Sequence, residues 1–139
     1  MQQAELTLGV AGLLLFAIGL VLGLALPAFR NARMALSAHL TAVQTGPALI
    51  AIALFWQYCG VPAGWDWPLA VTLAASSYGL VAGIALAGAT GASKMLPMAG
   101  KGYHGSALQE VMVSVIVGGS SAAMLGAILA LCWFAIGNS

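Results

Sequence analysis

The sequence predicts an all-α integral membrane protein, a single domain over residues 1–139 folded as a bundle of four transmembrane helices. Three observations predict it. Hydrophobic residues make up 62% of the chain and charged residues only 5%, against roughly a quarter charged in an ordinary soluble domain. The charged residues Glu5, Arg30, Arg33, Asp66, Lys94, Lys101 and Glu110 leave charge-free runs of 24 (6–29), 32 (34–65), 27 (67–93) and 29 residues (111–139). Each run exceeds the ~20 apolar residues that cross a ~30 Å hydrocarbon layer. Backbone groups in lipid must bond within the segment, and long apolar runs do so as helices. A soluble enzyme and a disordered chain are excluded, and so is nucleic acid as a partner, since net charge is only +1.

The first span, about 6–28, is not a cleaved signal, because Met1-Gln2-Gln3-Ala4-Glu5 lacks a basic leader and the apolar run is too long. No lipidation box is present at either end. Gly19 and Gly23 give it a small-residue face for close helix packing. The second span covers about 34–58 and the third about 68–90, where Gly79, Gly83, Ala87 and Gly91 repeat that spacing. The fourth, about 107–136, carries Ser114, Gly118, Ala122 and Gly126. All Lys and Arg fall between spans 1 and 2 or between spans 3 and 4, so both of those loops are cytoplasmic and both termini lie outside. Trp56, Trp65, Trp67, Trp133 and Tyr58 then form an aromatic belt at the outer surface.

In the long 3–4 loop, Gly100 to Gly105 matches GxGxxG by letter only, since no strand precedes it. Ser106 and Gln109 form a capping box opening span 4, and Glu110 in the first turn suits the helix dipole. Cys59 and Cys132 make no CxxC or CxxCH motif and read as free, small hydrophobic residues.

Within the spans the titratable groups of interest are His39 and Tyr78. His39 lies roughly 7–8 Å from the inner end of its helix. At 100° per residue, Ala35, Ala42, Gly46, Ile50 and Ala53 share its face, while Ser37, Thr41, Gln44 and Thr45 lie opposite. His39 is either bonded to a neighbouring helix or a ligand, and its wall of Ala35, Ala42 and Gly46 suits a planar macrocycle such as haem. Tyr78 sits near mid-membrane, level with Gln44, Thr45 and Pro47, and needs a helix partner or a substrate oxygen. Thr72 and Ser76 read as structural, each able to bond its own helix.

Arg33-Met34-Ala35-Leu36-Ser37-Ala38-His39-Leu40, followed by Gly46, resembles the signature of the bacterial hydroxylaminobenzene mutases. It is similar, more distantly, to the His-containing second helix of the styrene oxide isomerases. The likeness extends to the four-helix plan, Tyr78-Gly79, and Gln109-Glu110 at the start of span 4. It implies a multi-pass protein of the bacterial inner membrane, a homotrimer with haem b on His39, and a small apolar aromatic substrate. Ferric iron would act as a Lewis acid on the substrate's oxygen, rearranging an arylhydroxylamine to an ortho-aminophenol or an epoxide to a carbonyl without net redox change. On this reading His39 is the metal ligand and Ala35, Ala42 and Gly46 complete the cofactor site. Tyr78, Gln44 and Thr45 are the catalytic candidates. The chain departs from those families at Thr45, where they carry Asn, at Thr41, where they carry an acid, and at Gly83-Ile84, where they carry an Asn–aromatic pair. Behind the isomerase rank an electron-transfer cytochrome with His39 and His104 as ligands, and a small-molecule transporter.

Overall fold

The fold was determined as a computed structural model that describes residues 2–137. Its helices are α1 (Gln2–Ala25), α2 (Ala32–Phe55), α3 (Ala63–Thr90), the single turn α4 (Pro97–Gly100) and α5 (Ala107–Gly137), and the described residues include no strand. Four of them, all but α4, are long and apolar enough to cross a membrane. Local chemistry sets their ends. Pro27 stops α1, whose last turn tightens into a 3₁₀ turn at Leu26–Ala28. The Asn31 side chain caps α2 by accepting from Met34 N at 3.1 Å. Gly91, at φ 84°, closes α3 in the left-handed conformation. The capping box is formed in both directions: Gln109 N donates to Ser106 Oγ and Ser106 N donates to Gln109 Oε1.

The third span starts earlier than predicted, at Ala63 rather than 68. Pro68 therefore lies inside the helix, where it removes the donor to the Gly64 carbonyl, and Asp66 sits in the first turn, where the helix dipole favours a carboxylate.

Helices α1 and α2 form the most extensive pair, α3 packs on both, and α5 packs chiefly on α3. The α1–α2 seam depends on Gly12 and Gly46. A Cβ on Gly46 would lie 2.7 Å from the Gly12 carbonyl oxygen, and one on Gly12 would lie 2.5 Å from that of Gly46. Gly19 meets Ala42 and Val43 in the same seam. On α3, Gly79 faces Ser120 and Gly83 faces Val117 and Ile116.

Two expectations about faces are corrected. The small stripe of α5 is not its packing face: Ala122 and Gly126 are exposed, and Val113, Val117, Ala127 and Leu131 are buried instead. Glycines on α3 already permit close approach, so α5 supplies the side chains that fill them. Trp56 does not belong to the aromatic belt. It is 1% exposed, and its indole N–H donates to Asp66 Oδ1 at 3.0 Å, which satisfies the ring inside the protein. Trp65, Trp67, Trp133 and Tyr58 are exposed as a belt requires.

The two ends of the bundle differ. Where the basic loops lie, buried Asn31 donates to the Ala99 and Gly100 carbonyls, and Arg30 donates to Thr90 O at the end of α3. The Glu110 carboxylate accepts from the backbone N–H of Ser93, Lys94 and Gly105, pinning both ends of the long loop. That structural role adds loop closure to the expected helix-dipole contact. At the other end the Trp56–Asp66 pair accompanies a tilted contact of Trp65 with Phe134. Cys59 and Cys132 are free thiols. Burial first, and the charge of Cys132 second, push the Cys59 thiol up.

Candidate functional site

His39 stands half-buried on α2, on the flank facing α1. Gly23 makes room for it, since a Cβ there would lie 2.9 Å from the imidazole. The ring Nδ1 is 2.7 Å from the Gly19 carbonyl oxygen, so Nδ1–H donates, and in the neutral imidazole the lone pair is then on Nε2. Among the described residues no side chain or backbone group bonds Nε2. A carbonyl on Nδ1 fixes both tautomer and ring orientation, as in imidazoles that ligate metals through the opposite nitrogen.

The wall of small residues around His39 has a different use from the one expected. Gly46 abuts Gly12 and Phe16, Ala42 abuts Gly19, and Ala35 abuts Gly88 of α3. All three are buried by the protein's own helices, so no macrocycle lies flat against them within one chain. His39 itself could hold such a group by one ring nitrogen. Leu36 and Leu40, which flank His39 along α2, are exposed, as are Leu20 and Leu24, adjacent in sequence to Gly19 and Gly23 on α1. Among the described residues no group of three or more His, Cys, Asp or Glu could hold a bare metal ion. A group held by one imidazole nitrogen would need no such cluster.

Gln44 and Thr45 lie roughly 120–140° around α2 from His39. They line a cleft of about 250 Å³ among α2, α3 and α5, with Leu49, Leu73, Ser77 and Met124. The Ser77 hydroxyl donates to Leu73 O, but the Gln44 amide and Thr45 hydroxyl have no partner among the described residues. An unpaired amide about 18 Å from the start of α2 lies deep in the hydrocarbon region, where a missing partner is costly.

Tyr78 is on neither surface. Its hydroxyl donates to Ala11 O of α1 at 2.9 Å, the helix partner that a buried phenol needs. Ala11 is eight residues from Gly19, so Tyr78 and His39 meet α1 about 12 Å apart. Thr41, Thr72 and Ser76 bond carbonyls of their own helices. His104 lines a separate cleft with Ser93, Lys94 and Glu110, which His39 does not line. Within one chain, therefore, the predicted residues form a histidine site, a polar cleft and an interhelical tether. Gly12, Asn31 and the Trp56–Asp66 pair escaped sequence reasoning; an Asn just before a helix was the one signal available, for Asn31.

A family model described as styrene oxide isomerase matches residues 4–136. The chain belongs to that family. It is an isomerase of the multi-pass membrane type. Hydroxylaminobenzene mutase HabA of Ectopseudomonas oleovorans is 34% identical over 108 residues, 77% of this chain and 80% of HabA. Hydroxylaminobenzene mutase HabB of the same organism is 34% identical over 118 residues, 82% of this chain and 70% of HabB. No solved structure matches.

Proposed function

We propose that the protein is a haem-b isomerase acting on a small apolar aromatic substrate, an arylhydroxylamine or an aryl epoxide, in the bacterial inner membrane with both termini outside. The observation that carries the reading is His39, whose Nδ1–H is held by the Gly19 carbonyl while Nε2 is left to ligate. Bound there, haem b would supply a ferric Lewis acid that polarises the substrate's oxygen so that the C–O or N–O bond breaks and internal rearrangement follows. The names of the related mutases support a substrate of that chemistry.

The protein's own residues have separate tasks. His39 holds the cofactor by one nitrogen and α1 holds His39. The apolar lining of the Gln44–Thr45 cleft accepts an aromatic ring, and the Gln44 amide and Thr45 hydroxyl orient its polar substituent. Tyr78 ties α3 to α1 and has an acceptor lone pair still available. Because His39 and the Gln44–Thr45 cleft occupy different sides of α2, they come together only between copies. A closed head-to-tail ring, a trimer in the related proteins as the resemblance implies, sets one against the other. It also covers the unpaired Gln44 amide.

The test is spectroscopic and kinetic. Wild type purified in mild detergent is expected to show a high-spin ferric haem spectrum perturbed by an aryl epoxide or arylhydroxylamine. His39→Ala is expected to lose both the haem and turnover, the latter by more than about 100-fold. Haem-free wild-type protein that still turns substrate over would refute the reading.

A further inference from the structure

A groove of about 500 Å³ runs between the first half of α1 and the last half of α2, remote from His39. Its mouth holds Gln2, Glu5 and Gln57, and below them Leu6, Val10 and Leu13 face Ile50 and Leu54. From Gln2 to Leu13 the helix rises about 16 Å, half of a ~30 Å hydrocarbon core, so the groove spans one leaflet. Two further observations bear on its occupant. No hydrogen bond or ion pair reaches the Glu5 carboxylate among the described residues. The Lys and Arg side chains do not neutralise it either, because Arg30, Arg33, Lys94 and Lys101 all lie at the opposite end of the bundle. Gly9, which lines the groove, is required by no helix contact, since a Cβ there would meet nothing within 4 Å. Its missing side chain keeps the groove deep.

We infer that this groove binds a phospholipid with an ammonium headgroup. The ammonium sits on Glu5, the amides of Gln2 and Gln57 donate to the phosphate, and an acyl chain fills the trough down to Leu13. A carboxylate at the mouth selects a cationic head against an anionic one, and the leucine-rich trough selects a chain over a water-soluble amine.

The purified full-length protein, stripped of lipid and returned to detergent with phosphatidylethanolamine or phosphatidylglycerol, tests this by native mass spectrometry. Wild type is expected to retain phosphatidylethanolamine preferentially. Glu5→Gln should weaken that retention about tenfold while leaving phosphatidylglycerol unaffected or improved. Gly9→Leu fills the trough and should lose both lipids, with thermal unfolding like wild type because the added side chain meets open space. Equal retention of the two lipids by wild type, or unchanged selectivity in Glu5→Gln, overturns the inference. So does a disulfide between copies in Gly9→Cys, which would assign the groove to a second chain.

Discussion

On its α1 side, helix α2 is sealed by backbone: Gly46 meets Gly12, Ala42 meets Gly19, and His39 is bonded to the Gly19 carbonyl. Roughly 120–140° around the same helix from His39, Gln44 and Thr45 open onto a cleft and bond nothing among the described residues. The sealed side is the positioning surface, where glycines bring a carbonyl close enough to orient an imidazole. The open side is the surface with unspent hydrogen-bonding capacity. Both sides are made of small or polar residues, so residue type alone does not distinguish them. The packing partner does.

Breaking the sealed side should have the largest effect. Gly46→Leu drives a side chain into the Gly12 carbonyl and Phe16, and should destabilise the protein by about 3 kcal/mol, read as a lower thermal midpoint in detergent. Gly126→Leu, whose side chain enters open space on α5, should leave that midpoint unchanged. Equal effects would mean that the α1–α2 seam is not the tight contact. On the open side, Gln44→Leu should leave stability intact or raised, since it removes an unpaired amide, while kcat/KM falls about tenfold with haem retained. An unaltered kcat/KM would take Gln44 out of substrate binding. The smallest change is expected for Tyr78→Phe, which loses one interhelical hydrogen bond worth about 1 kcal/mol or less. Haem should stay bound and turnover should fall modestly; a Tyr78→Phe enzyme with wild-type turnover would confine Tyr78 to its tether.

The parts of the molecule legible in the sequence are those governed by neighbours along the chain. The fourth span begins at its expected limit, and its capping box forms as written, because both depend on local hydrogen bonding and hydropathy. Tyr78 was placed near the middle of α3, and its need for a partner was evident, but Ala11 was not nameable as that partner. Helical projection separated the His39 face from the Gln44 face. It could not show that Ala35, Ala42 and Gly46 would be covered by α1 and α3, because a small-residue wall suits a helix as well as a macrocycle. Trp56 fell at the depth of an interfacial aromatic, and only the fold brings Asp66 beneath it.

By itself, then, the sequence determined four crossings, the arrangement of its charges and the single histidine within the spans. Seven charges in 139 residues permit no soluble fold, and helices are the way such runs satisfy their backbones in lipid. Tertiary structure alone decided which faces close. In a membrane, apolar surface is not driven together by water, so packing follows the shapes of glycines and the side chains opposite them. Those shapes put the Gly19 carbonyl on His39 Nδ1, leaving Nε2 as the free nitrogen.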